Sequence, residues 1–164
     1  MARPIVNLAE LEFRDFGHGE RYQARIGAIG ARVGAEKLGY NLTVLPPGKR
    51  GFPCHNHRAN EEMFFVLEGE GEVRIGPERY PIRAGDVIAC PPGGAERAHQ
   101  IANTSNAELK YLAVSTKMYP EVAEYPDSGK FGVLVEIPAS DGGKPTQFRF
   151  VGRPEDGVDY WEGE

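Results

Sequence analysis

Cysteine is scarce in this chain. Cys54 and Cys90 are the only two among 164 residues, and they form no CxxC pair. A disulfide framework and a zinc knuckle are therefore excluded, which leaves two free thiols in a reducing compartment. Cys54 stands beside His55, and a ligand role for it is the lesser reading. Long apolar runs are lacking as well: nothing approaches about 18 consecutive apolar residues, so no membrane-spanning segment is expected. The opening MARPIVNLAELEFRD offers no apolar stretch for a signal peptide and turns acidic early, which points to the cytoplasm. Positive charge is in deficit, with a net charge of −5 and a pI near 5.5. Nucleic acid, which demands a basic surface, is excluded as a partner. Helical periodicity is missing too. Only residues 31–38 and 118–125 offer a turn or two of helix, and no long stretch repeats at 3.6 residues.

What the chain does have is punctuation. Its 21 glycines and 13 prolines cut 164 residues into short pieces. Between the cuts lie GYNLTVL (39–45), EMFFVLEG (62–69), GEVRIG (71–76), ERYPIRAGDVIAC (78–90) and LKYLAVST (109–116), rich in β-branched and aromatic residues. PPGKRG, EGEG, GPE, RAGD, PPGGAE and NTSNAE separate them as turns. Many short strands at close spacing predict an all-β sandwich or barrel. At 18.0 kDa, with 40% hydrophobic residues, one domain covering 1–164 with a single core is expected. Residues 1–38 read as extra N-terminal strands. The stretch 138–164 reads as an irregular extension, with one strand candidate at 146–150, packed on the barrel rim by Phe148, Phe150, Tyr160 and Trp161, or else partly disordered or reaching to a second subunit.

The chemistry concentrates in HNHRANEEMFFVLEG, residues 55–69. In an extended strand residues i and i+2 share a face, so His55 and His57 project together. Glu62 opens the next strand. Two imidazoles and a carboxylate on one side of an ion are a ligand set suited to Fe(II), Mn(II) and similar ions, with positions left open for water or substrate. The chain has four histidines. His99 lies at the start of a strand that follows a Pro/Gly turn in residues 85–103, and only His18 lies apart from these segments.

These motifs resemble the cupin family, the small double-stranded β-helix. The first cupin motif is matched by His55-x-His57, four residues, Glu62, six residues and Gly69. The second is matched by Gly85, five residues, Pro91-x-Gly93, then His99, three residues and Asn103. Residues 70–84 separate the motifs by a length typical of small single-domain bacterial cupins. Two departures stand out. Five residues, rather than two, lie between Gly93 and His99, and the opening glycine is displaced, with Gly48 one residue too far from His55 and Gly51 two too close. The resemblance covers 48–103. It implies a jelly-roll barrel and one divalent transition metal (Mn, Fe, Ni or Zn) on His55, His57, Glu62 and His99. Glu61 is the rival carboxylate, but the six-residue count to Gly69 favours Glu62. If Glu62 faces inward, Phe64 and Val66 share its face and line the pocket.

Three functions fit such a site. The first is isomerisation of a small oxygenated, anionic metabolite such as a sugar phosphate. Lys49, Arg50, Arg58 and Arg97 fall in or beside the motif loops, and Arg50 and Arg97, with Phe64, are the substrate-binding candidates. No general base stands out; Tyr40 and Tyr111, on core strands, are the candidate proton carriers. The second is a dioxygenase or oxalate-type decarboxylase, and the third a non-catalytic module that binds a sugar or another small ligand. The resemblance further implies a homodimer paired through the N-terminal strands, with a small-molecule substrate.

Overall fold

The structure, a computed structural model, describes residues 3–139, 143 and 145–164. Of the expected 138–164 extension, residues 140–142 and 144 lie outside the described residues. Thirteen strands among the described residues account for most of the fold: β1 (Phe13–His18), β2 (Tyr22–Ala28), β3 (Leu38–Leu45), β4 (Asn56–His57), β5 (Glu62–Glu68), β6 (Glu70–Ile75) and β7 (Glu78–Arg83). They continue as β8 (Val87–Cys90), β9 (His99–Ala102), β10 (Leu109–Thr116), β11 (Glu121–Tyr125), β12 (Lys130–Ile137) and β13 (Thr146–Gly152). A short helix, α1 (Gly30–Val33), breaks the run and ends at Gly34 in the left-handed conformation.

The strands form a six-stranded sheet in the order β1-β2-β3-β10-β5-β8 and two smaller ones, β7-β6-β9 and β4-β11-β12-β13. Backbone hydrogen bonds from His55 N to His99 O (3.2 Å) and from His99 N to His55 O (2.8 Å) tie β9 to the segment entering β4. The smaller sheets thus run on as one layer against the larger sheet. The core draws on both layers: Ala24, Ile26, Leu45, Phe64, Val66, Cys90, Leu109 and Tyr111 from one, Val73, Ile82 and Ile101 from the other. This is the jelly-roll barrel expected from the sequence.

Side-chain alternation sorts each strand between interior and exterior. On β3, Leu45 joins the barrel core. Tyr40 and Leu42 turn the other way, onto a second cluster with Leu11 and Ile29 under the N-terminal segment. On β5, Phe64 and Val66 point inward as the spacing from Glu62 predicts. The turn between β5 and β6 needs glycine: Gly69 has φ +85°, and a Cβ there would lie 2.3 Å from the carbonyl oxygen of Glu108.

Three expectations are corrected. Residues 118–125 are not helical; β11 occupies 121–125, held in place by pairing with β4 and β12. The whole of β12 is an unexpected strand, and β13 pairs with it over 146–152. The aromatic side chains of the tail do not pack on the rim. Phe148, Phe150, Tyr160 and Trp161 are 52%, 45%, 83% and 72% exposed. β13 is the outermost strand of its sheet, so no further strand among the described residues covers it. Cys54 and Cys90 are buried free thiols. Among the described residues no helix is long and apolar enough to cross a membrane.

Candidate metal centre

Four side chains from three separate segments meet at the barrel interior. His55 and His57 flank Asn56 at β4, Glu62 is the first residue of β5, and His99 is the first of β9. Oε2 of Glu62 lies 2.8 Å from His99 Nε2, 3.5 Å from His57 Nε2 and 3.9 Å from His55 Nε2. One ligand atom from each of the four residues falls within 4.8 Å of all the others. Ligands bonded at about 2.0–2.2 Å to one ion sit roughly 3–4 Å apart, so closure on an ion asks for small movements only. His55 Nδ1 lies 2.9 Å from Pro53 O; donating that hydrogen bond places the proton on Nδ1 and leaves the Nε2 lone pair facing the cluster. His57 Nε2 is buried and has no well-formed hydrogen bond, only the longer approach of Glu62. Three nitrogens and one oxygen of this kind suit a divalent transition metal. Glu61 is exposed, its backbone N–H donating to Thr116 Oγ1, and stands outside the cluster.

The electrostatics follow from that packing. Burial works to raise the Glu62 pKa, but the polar contacts with His57 and His99, and the charges of His57 and His55, overcome it and hold the carboxyl well below its usual range. Burial, joined by the neighbouring His99, pulls His55 down to about 4, so it is neutral near pH 7 and its lone pair is available. At His57 burial acts to lower the pKa; the polar contact with Glu62 and the charges of Glu62 and Glu121 outweigh it, and the net shift is upward.

A cavity of about 100 Å³ opens beside the cluster. His55, Glu62 and His99 line it, with Ile26, Phe52, Phe64 and Ile101 as apolar wall and Asn41, Thr43, Gln100 and Tyr111 as polar wall. The register explains these neighbours: Phe64, Ala113 and Asn41 form one row across β5, β10 and β3, and Val66, Tyr111 and Thr43 the next. Burial raises the Tyr111 pKa, outweighing a hydrogen bond with Thr43 that acts to lower it, so its phenol keeps its proton.

Of the substrate-binding candidates, Phe64 lines the cavity, whereas Arg50 and Arg97 do not. Arg97 is exposed on the short 3-10 turn Ala95–Arg97, and the Arg50 backbone bridges Tyr22 and Ala102. Lys49 donates to Glu20 O, and Arg58 pairs with Glu124. Among the described residues no lysine or arginine lines the cavity. Tyr40 is also outside it, on the far face of β3. One residue the sequence did not single out is Glu121, buried beside His57. Its only signal was an acid opening an apolar stretch, inside the segment that reads as helical.

Comparison with known proteins places this architecture. Residues 41–115 match the family model of the cupin domain. A Streptomyces cyaneus protein named polyketide synthase CurC is 31% identical over 126 residues, 75% of this chain and 75% of that one. An oxalate-binding protein from Thermotoga maritima is 39% identical over 70 residues, 43% of this chain. The chain spans 54% of that relative's length, and 58% of the length of an uncharacterised Methanocaldococcus jannaschii protein. The fold matches the crystal structure of a candidate sugar phosphate isomerase from Acidithiobacillus ferrooxidans, with a TM-score of 0.78, 22% identity and 98% of each chain covered. With a jelly-roll barrel, both histidine motifs inside the matched segment, and a relative aligned over three quarters of its length, the chain belongs to the cupin family.

Proposed function

We propose that His55, His57, Glu62 and His99 hold one divalent transition metal, and that this single-domain chain is a cytoplasmic enzyme acting on a small oxygenated metabolite. The observation that carries the reading is the convergence of three imidazole nitrogens on one half-buried carboxylate at a cavity wall. A bound ion would supply a Lewis acid for neighbouring oxygens of the substrate. The chain's own residues do the rest. Phe52, Phe64, Ile26 and Ile101 give the cavity an apolar wall. Tyr111 offers a hydrogen bond through the proton it retains.

Within this reading, isomerisation of a sugar-like hydroxy-carbonyl compound comes first, supported by the likeness to the Acidithiobacillus structure across the whole chain. A phosphate on such a substrate would remain outside the cavity, since no described lysine or arginine lines it. Oxalate-type chemistry is the second reading, favoured by the small cavity and by the Thermotoga oxalate-binding relative. A non-catalytic ligand-binding barrel is the third. Metal analysis of the purified protein tests the common core: about one transition-metal ion per chain is expected, with most of it lost in His57→Ala and Glu62→Ala. A parent protein without such a metal, or two variants that keep it, would overturn the reading. Oxygen uptake with candidate acids, compared with anaerobic turnover of sugars and sugar phosphates, separates the reactions.

We further propose that the protein is a homodimer. Cross-strand partners share a face, so Val133, Val135, Phe148 and Phe150 lie together, flanked by Phe131 and Ile137. These six residues carry no charge in a chain of net charge −5, so two copies can stack them against each other without opposing like charges.

A further inference from the structure

Glu121 opens β11 and reaches back beneath β4. The register pairs Ala123 with His57, so Glu121, two residues earlier, shares their face. Its side chain is 6% exposed. A carboxylate so deeply buried is costly unless donors surround it, and here the loop between β4 and β5 supplies them. Oε1 accepts from the backbone N–H groups of Arg58 (3.1 Å) and Ala59 (3.3 Å). Oε2 accepts from the backbone N–H of Asn60 (2.9 Å) and from the Asn60 side-chain amide. Oε2 also lies 3.7 Å from His57 Nδ1, a buried nitrogen with no hydrogen-bond partner.

Three consecutive backbone donors hold the carboxylate still, and its negative charge stands 3.7 Å from the ring nitrogen of His57 that is not the one near Glu62. A histidine that ligates an ion through one nitrogen is oriented by what its other nitrogen donates to. We propose that Glu121 is a positioning residue for His57: it holds the proton on Nδ1 and so aims the Nε2 lone pair into the His55–Glu62–His99 cluster. This rests on the metal reading above, but its consequences for the His57 ring exist without a metal.

A merely structural Glu121 would pin the 58–60 loop and nothing else, and two variants separate these roles. Glu121→Gln keeps the size and removes the charge. Asn60→Ala removes the side-chain bonds that Asn60 donates to Glu121 and Met118 O and those it accepts from Thr116 Oγ1 and Met118 N, while leaving the Glu121 carboxylate in the chain. Ring nitrogen-15 NMR of the metal-free protein is expected to show His57 protonated on Nδ1 in the parent and in Asn60→Ala. In Glu121→Gln the proton should move, in whole or part, to Nε2. Titration with Zn2+ alone should give a dissociation constant raised roughly 10- to 100-fold in Glu121→Gln and within about threefold of the parent in Asn60→Ala.

Two results would overturn the proposal: an unchanged His57 proton position in Glu121→Gln, or an Asn60→Ala variant that loses as much Zn2+ affinity as Glu121→Gln. If Glu121→Gln does not fold, Glu121→Asp replaces it. Withdrawing the charge by one methylene should weaken Zn2+ binding, and unchanged affinity counts against the role. A parent that binds no Zn2+ removes the metal reading, while the NMR result still decides whether Glu121 sets the His57 tautomer.

Discussion

A half-buried carboxylate like that of Glu62 is tolerated because three imidazoles surround it, and the same crowding makes the metal-free protein sensitive to acid. His55 accepts a proton near pH 6.5 when unfolded and only near 4 when folded. The unfolded state therefore binds more protons in that window, and stability falls as pH falls from 6.5 to 4, by at most about 3 kcal/mol. Glu62 acts in the same direction: its lowered pKa gives stability that is present above the unfolded value of 4.5 and is lost below it. His57, shifted upward, contributes stability that is full below 6.5 and is lost as pH rises through its raised pKa. Urea denaturation of the metal-free protein across pH should show a maximum near neutrality, and His55→Gln should flatten the segment between 4 and 6.5. A parent profile that is flat there would refute the argument. At this scale the sequence was informative about His55, His57 and Glu62, because the period of a strand sets which of them share a face. Glu121 and the opposite fates of Tyr40 and Tyr111 were not legible, since each depends on which face of a strand meets the core.

Strand pairing decided what local pattern left open. Residues 118–125 mix Pro, Glu and Ala with aromatics and suit a helical turn on local grounds, yet the ladder with β4 and β12 makes 121–125 a strand. Without that ladder Glu121 would have no route to His57. Turn chemistry, in contrast, is local and was readable. At Gly69 the backbone is left-handed, and the Glu108 carbonyl oxygen stands 2.3 Å from where a Cβ would be, which leaves no room for a side chain. Gly69→Ala is expected to destabilise the fold by about 1–3 kcal/mol through strain and displacement of the β5–β6 turn, measurable as a lowered denaturation midpoint. An unchanged midpoint would show that the turn can relax around a methyl group.

For the whole molecule, the open question is what covers the outer face of β12 and β13. Sheets normally bury their apolar face; here Phe148, Phe150 and Ile137 remain about half exposed. Sedimentation or light scattering is expected to give twice the 18.0 kDa chain mass. The double variant Phe148→Asp with Phe150→Asp should dissociate to single chains while keeping its metal. A monomeric parent, or a dimer untouched by the double variant, would remove this face as the contact. The second result would return attention to β1, the edge of the six-stranded sheet, where the N-terminal strands were expected to pair.

The sequence by itself determined the all-β character, because strand period and turn residues act over a few residues at a time, and its resemblance to the cupin motifs implied the jelly-roll class and the four residues of the candidate metal site. Only the tertiary structure decided which side chains complete the cavity. It set Tyr111 and Asn41 inside and Tyr40, Arg50 and Arg97 outside, and it brought Glu121 to His57 across 64 positions of chain. Those choices follow from the order and register in which distant strands pair, which no local pattern contains.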